Sequence, residues 1–141
     1  MSIPYLACML AIATHFQLPP RVLPAIQKVE GGQVGLAKLN ANGTEDLGLM
    51  QVNSLWIPSL SQRFGVPAEE MRTRLMQDAC FNITVAGAVV RYHLTQNNGD
   101  LLTAVGKYHS SAPTLNRDYR GKVIDAAIAL FGRPEPDPKP P

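Results

Sequence analysis

The chain has 141 residues, of which 45% are hydrophobic and 17% are charged. This length and apolar content suffice for one domain with a single core, and they exclude a disordered, charge-rich chain. The 13 Lys and Arg against 11 Asp and Glu give a formal net charge of +2. Because the basic residues are scattered, no nucleic-acid partner is expected.

Helices dominate the pattern along the chain. The apolar spacing predicts them at about 4–16, 21–30, 54–63, from Pro67 onward, 78–95, 100–108 and 115–131. Residues 35–53 lose the helical period and contain the turn signal Asn42-Gly43, which predicts a small hairpin or irregular β element. We therefore expect a predominantly helical α+β domain over residues 1–132. In residues 133–141 proline alternates with charge, which predicts a flexible tail.

The first predicted helix also bears on targeting. The apolar run from Ile3 to Ala13 resembles the core of a signal peptide, but no Lys or Arg precedes Arg21. We therefore interpret the run as a helix of the folded domain. No stretch approaches the roughly 18–20 apolar residues of a membrane span, so none is expected.

The cysteines and histidines carry less information. Cys8 and Cys80 allow one disulfide, and two free thiols are an equal alternative on the count alone. The histidines lack the spacing of a metal site, so the sequence predicts neither a metal nor another cofactor.

Glu30 is the candidate catalytic acid. It follows Ile26 by four residues and Leu23 by seven, so it shares their inward helical face. Burial and the negative end of the helix dipole both raise the pKa of a carboxyl, as a proton donor near neutral pH requires. The alternative is a glutamate exposed to water at a frayed helix end.

Four segments of the chain match known sequence motifs and follow one another in the expected order: Val29–Gly31, Asp46–Ser54, Asp78–Ile83 with Ala86–Ala88, and Ala104–Tyr108. Across roughly residues 5–115 the chain resembles the lysozyme-like lytic transglycosylase superfamily, specifically its small members attached to secretion, pilus and conjugation machines. The resemblance implies a lysozyme-like fold whose cleft binds peptidoglycan glycan strands.

The same resemblance implies a reaction. Glu30 would protonate the oxygen that links N-acetylmuramic acid to N-acetylglucosamine and would then act as base on the 6-hydroxyl of the muramic acid. That hydroxyl would close on C1, leave a 1,6-anhydro end and open the wall locally for a trans-envelope apparatus. Two alternatives remain: a hydrolytic muramidase in which Asp46 assists Glu30, and a wall-binding assembly protein with a weakened site.

Other roles follow by position in the motifs. The candidate substrate-binding residues are Gly48, Met50, Gln51, Asn53, Tyr108 and His109. Gly48 would let the backbone approach the sugar, Met50 would present an apolar surface, and the two amides would bind sugar hydroxyls and N-acetyl groups. The respective alternatives are a turn glycine, a core methionine and amides that only satisfy the backbone.

Asp46, Tyr108 and Trp56 each have two interpretations. Asp46 would stabilise an oxocarbenium-like transition state if it faces the cleft, or cap a turn if it faces away. Tyr108 would lie in the cleft near the acid or pack in the core. Trp56 would stack on a sugar face or belong to the core.

The chain departs from the family at two positions. The usual serine after the acid is Gly31, and the usual Tyr-Asn pair is Tyr108-His109. Cys8 and Cys80 match the positions of a family disulfide, which implies an oxidising compartment such as the periplasm or cell envelope. A monomer is expected, with secretion, conjugation or pilus components as possible partners.

Overall fold

The computed structural model describes residues 2–110 and 112–133. Within these ranges there are seven α-helices, one short 3-10 helix and three short strands. In chain order they are α1 (Leu6–His15), α2 (Val22–Glu30), β1 (Ala37–Leu39), β2 (Glu45–Leu47), β3 (Val52–Asn53), a 3-10 helix (Ser54–Trp56), α3 (Ile57–Phe64), α4 (Ala68–Gln77), α5 (Ala79–Gln96), α6 (Leu101–His109) and α7 (Pro113–Phe131). The predicted α+β class, dominated by helices, is confirmed. Residues 134–141, most of the predicted tail, lie outside the described residues, so the division at residue 132 stays a prediction.

Side-chain and glycine caps set the helix boundaries. The Asp78 side chain accepts a hydrogen bond from the Phe81 amide at 3.0 Å and begins α5, while Asp100 accepts from the Thr103 amide at 3.2 Å and begins α6. Gly31 ends α2 in the left-handed conformation, with φ of 64°. None of the helices in the described ranges combines the length and apolar content needed to cross a bilayer.

The β element is an antiparallel sheet in the order β1-β2-β3. All three strands fall within residues 35–53, where a small β element was predicted, and the hairpin is β1-β2, with Ala37 opposite Leu47. Arg72 of α4 makes two hydrogen bonds to the Glu45 carboxylate, at 2.8 and 2.7 Å. This bidentate ion pair attaches β2 to the helical part of the domain.

Asn82 of α5 is a fully buried polar residue at the centre of the core. Its side chain accepts a hydrogen bond from the Met50 amide and donates to the Leu47 and Leu75 carbonyls, each at 2.8 Å. A buried amide with these partners is well satisfied. It therefore fixes the 47–50 segment, which begins at the last residue of β2, against α4 and α5.

Two contacts hold the ends of helices. Cys8 of α1 and Cys80 of α5 form a disulfide bond, with Cα atoms 6.0 Å apart. Loop-closure entropy over a separation of 72 residues gives this bond a stabilising effect on the order of 4 kcal/mol. Arg21, which precedes α2, donates to the Gly132 carbonyl at 2.7 Å, and its guanidinium lies 5.4 Å from the centre of the Phe131 ring. The start of α2 is thus clamped to the end of α7, so the two helices run antiparallel.

Candidate active site

A cleft between the end of α2, the sheet and the last two helices contains most of the predicted site residues. It consists of two adjoining cavities, of about 560 Å³ and about 340 Å³, which we call the large half and the small half. Six residues line both halves: Glu30, Asn40, Asp46, Gln51, His109 and Leu115. A larger cavity, of about 730 Å³, lies beside α4 and Cys80 and contains none of the predicted catalytic or substrate-binding residues.

Glu30 is the last residue of α2 and is half-buried where the two halves meet. Burial raises the pKa of its carboxyl from 4.5 to about 7. The nearby hydroxyl of Tyr119 lowers this pKa, the negative charge of Asp46 raises it, and the positive charges of Lys38 and Lys122 lower it. The result is a carboxyl that can either donate or accept a proton near neutral pH.

Tyr119 is a site residue that the sequence reasoning missed. It lies on α7, is only 3% exposed, and places its hydroxyl beside Glu30 without a hydrogen bond of regular geometry. The helical spacing of α7 could have indicated that Tyr119 points inward, because it shares one buried face of the helix with Asn116, Val123 and Ala126. A tyrosine on such a face brings a polar hydroxyl into the interior.

Asp46 lies in the cleft, because it lines both halves. The Asn53 side-chain nitrogen donates to the Asp46 carboxylate at 3.1 Å and to the Thr44 hydroxyl at 3.2 Å, while the Asn53 side-chain oxygen accepts from the Leu55 amide at 2.9 Å. Both donor hydrogens of Asn53 are therefore used inside the protein. Asn53 lines the large half, where its amide donors position Asp46 and the 40–44 turn, and its binding to sugar stays a prediction.

Two predicted substrate contacts are core residues. The Met50 side chain is fully buried, so it cannot present an apolar surface to the sugar. Gly48 is also buried, with φ of 73°, and an added Cβ would collide with the Leu75 carbonyl and the Asn82 side chain. Both predictions are wrong for the same reason: packing against α4 and α5 directs this segment away from the cleft.

Gln51 lines the cleft but has little exposure, at 4%. It adopts a left-handed backbone conformation, with φ of 53°, and its side-chain nitrogen donates to the Gly48 carbonyl at 3.0 Å. Its amide thus closes the turn after β2, which was the alternative to sugar binding.

Tyr108 and His109, the two predicted site residues on α6, have different surroundings. The Tyr108 hydroxyl donates to the Met50 carbonyl at 2.6 Å, and burial raises its pKa. Tyr108 lines the large half, but the hydroxyl next to Glu30 belongs to Tyr119. His109 is exposed, lines both halves and stacks on Tyr119 with ring centroids 4.8 Å apart. It is the predicted residue most open to a ligand at the junction.

Trp56 is half-buried at the margin of the large half. Its ring packs edge-to-face on Tyr92 and His93 of α5, at 5.6 and 6.1 Å between centroids. One side of the indole is therefore held by the protein, while the large half remains open to the rest.

Metal ligands are not assembled in this cleft. Within residues 2–110 and 112–133, no group of three or more His, Cys, Asp or Glu side chains is placed to hold a metal ion.

Comparison with known proteins covers nearly the whole chain. Residues 7–128 match the family model described as Transglycosylase SLT domain. The chain is 30% identical over 114 residues to the Invasion protein IagB of Salmonella typhimurium (strain LT2) and of Salmonella typhi, which is 80% of this chain and 68% of each relative. It is 29% identical over 139 residues to a Peptidoglycan-binding-like protein of Escherichia coli O157:H7, which is 94% of this chain and 81% of that relative.

Proposed function

The chain belongs to the transglycosylase SLT domain family, and we propose that it is a lytic transglycosylase of peptidoglycan. It cleaves the β-1,4 bond between N-acetylmuramic acid and N-acetylglucosamine and leaves a 1,6-anhydro end. The observation that carries the proposal is the Glu30 carboxyl, with a pKa of about 7 at the junction of the two halves of the cleft. This reaction needs one group that first donates and then accepts a proton.

Glu30 acts in both steps. With the glycan strand lying across both halves, the protonated carboxyl gives its proton to the bridging oxygen as the bond from C1 to that oxygen breaks. The resulting carboxylate then takes the proton from the muramic acid 6-hydroxyl, whose oxygen bonds to C1. No water is consumed, and Glu30 ends the cycle protonated as it began.

Asp46 supplies the negative charge that the reaction needs at C1. Its carboxylate lines the same cleft and is oriented by the Asn53 side chain. A carboxylate held in this way stabilises the positive charge that develops on the sugar ring in the transition state. Asp46 also raises the pKa of Glu30, which keeps the acid protonated at higher pH.

Three neighbours keep that pKa from rising further. Tyr119, Lys38 and Lys122 each favour the charged form of Glu30 against the effect of burial. Because a pKa far above 7 would make Glu30 too weak an acid to donate its proton in the first step, these groups support its double role.

A hydrolytic muramidase is the second candidate, because Glu30 and Asp46 form a pair of carboxyls in one cleft. Mass spectrometry of fragments from purified wall material separates the two. We expect anhydro ends, which are lighter by one water than reducing ends. Fragments that carry only reducing ends would instead establish the hydrolase, and strands bound without fragments would establish a wall-binding protein.

The Glu30→Gln variant tests the residue itself. We expect it to lose cleavage, because glutamine cannot donate the proton, whereas Glu69→Gln on the exposed side of α4 keeps it. Circular dichroism checks that both variants fold. Cleavage retained by folded Glu30→Gln would show that another group is the acid.

We further propose that the protein acts in the periplasm or cell envelope beside a secretion, conjugation or pilus apparatus. The Cys8–Cys80 disulfide supports a compartment outside the reducing cytoplasm. Cell fractionation combined with a thiol count tests the compartment, and protein recovered only from the cytoplasm with two free thiols would contradict it.

A further inference from the structure

A further cavity lies next to the small half, along the contact between α2 and α7. It has a volume of about 410 Å³, and we call it the seam groove. It is lined by Lys28, Val29, Lys122, Asp125, Ala126 and Ala129. Val29 and Lys122 also line the small half, so the seam groove adjoins the part of the cleft that contains Glu30.

The lining of the seam groove differs from that of the cleft. Both halves of the cleft contain amides and aromatic rings, such as Asn40 and His109, which suit sugars. The seam groove has neither, and its apolar residues are the small Val29, Ala126 and Ala129. Its surface therefore fits small aliphatic side chains better than sugar rings.

Lysines surround this end of the cleft. Lys28 and Lys122 lie in the seam groove, and Lys38 of β1 lines the small half together with Lys122. Within the described ranges, none of the three forms an ion pair, since the salt bridges found there are Arg72–Glu45 and Arg74–Glu70. The ammonium groups are thus available for carboxylates. Asp125 beside them is a partner for an amine.

We propose that the seam groove binds the peptide stem carried by a muramic acid residue near Glu30, an inference that rests on the proposed function. Such stems combine alanine with acidic and diamino-acid residues. Their methyl groups contact Val29, Ala126 and Ala129, and their carboxylates pair with Lys28 and Lys122. The groove thereby makes the enzyme prefer strands that still carry stems.

The experiment compares peptide-bearing wall strands with strands from which an amidase has removed the stems. The variants are Lys28→Gln, which removes one ammonium outside the cleft, and Ala129→Trp, which fills the groove from an exposed position. Arg63→Gln, on the exposed surface of α3, is the control for loss of one positive charge. Thermal unfolding confirms that each variant folds.

We expect the wild type to have the higher kcat/KM on peptide-bearing strands. Lys28→Gln lowers the ratio of the two kcat/KM values by about five-fold, the size of one exposed ion pair. Ala129→Trp also lowers this ratio, because the indole blocks the groove, while the control keeps the wild-type ratio. A ratio equal to that of the wild type in both groove variants would overturn stem binding, although anhydro products would still support the proposed function.

Binding can be measured without turnover. Calorimetry with Glu30→Gln compares a soluble disaccharide that carries a tetrapeptide with the same disaccharide lacking it. Tighter binding of the peptide form, lost on adding Lys28→Gln, supports the groove even if no cleavage product is ever found. Equal affinities for the two ligands would overturn it.

Discussion

Replacing Glu30 by glutamine removes the ionisable group and keeps nearly the same side-chain shape. The variant therefore isolates the effect of the Glu30 charge on the free energy of unfolding. In the folded protein this carboxyl has a pKa of about 7, against an ordinary value of 4.5. The folded state therefore binds more protons than the unfolded chain between these two values. The stability that the protonated carboxyl contributes is complete below pH 4.5 and is lost as the pH rises through 7.

The size of this effect follows from the two pKa values. A tenfold change in proton affinity is worth about 1.4 kcal/mol, so ionising Glu30 costs the folded state roughly 3 kcal/mol. Glutamine avoids this cost. We expect Glu30→Gln to be more stable than the wild type by roughly 3 kcal/mol at pH 8.5, and the difference to disappear near pH 4.

Urea unfolding at pH 4, 6, 7 and 8.5 provides the measurement. The quantity to follow is the difference in unfolding free energy between variant and wild type, because every other titrating group cancels. Glu69→Gln, at an exposed carboxylate, serves as the control and should show little dependence on pH. A Glu30→Gln difference that stays constant from pH 4 to 8.5 would refute the idea that this carboxyl is buried against its charge.

Three further predictions follow, two for groups around the acid and one for the buried Asn82. Tyr119→Phe removes a hydroxyl that lowers the Glu30 pKa, so we expect the alkaline limb of the kcat/KM profile to move to higher pH. Tyr92→Phe, at an exposed tyrosine, is the control. A move of the limb to lower pH would contradict this assignment. Asp46→Asn removes a charge that raises the same pKa, so in the same assay the limb moves to lower pH and kcat falls by about ten-fold or more. A limb that does not move would show that the Asp46 charge does not reach Glu30. Asn82→Ala leaves the buried Met50 amide and the Leu47 and Leu75 carbonyls without their hydrogen bonds to the Asn82 side chain. We expect this to lower the unfolding free energy by about 3 kcal/mol or more. Exposed Gln96→Ala on the same helix is its control, and equal stability of the two variants would remove the anchoring role of Asn82.

Local signals explain what the sequence predicted well. Helix positions followed from apolar spacing and from caps such as Asp78 and Asp100, because these interactions involve residues only three or four positions apart. The inward face of Glu30 followed from the same spacing to Leu23 and Ile26, both of which are fully buried. Its position in a cleft, rather than in the core, required the other elements.

Long-range contacts explain the failures. Met50 and Gly48 looked like substrate contacts by their place in a motif, yet Asn82, more than thirty residues away, holds their segment in the core. The spacing on α7 places Tyr119 in the interior, but it does not show that this residue meets Glu30, which lies on a different helix near the start of the chain. Neither relation leaves a periodic trace in a single sequence.

The clamp between Arg21 and the end of α7 has a consequence for how the acidity of Glu30 can vary. The two helices are antiparallel, and Arg21 fixes the end of α7 against the start of α2. This contact also sets which residues of α7 lie beside the other end of α2, where Tyr119 and Lys122 are close to Glu30. A helix rises about 1.5 Å per residue, so a slip of one position would move both groups relative to the carboxyl by about that distance. A substitution at Arg21 or Phe131, far from the cleft, can therefore change the pKa of Glu30 and leave every residue of the cleft unchanged.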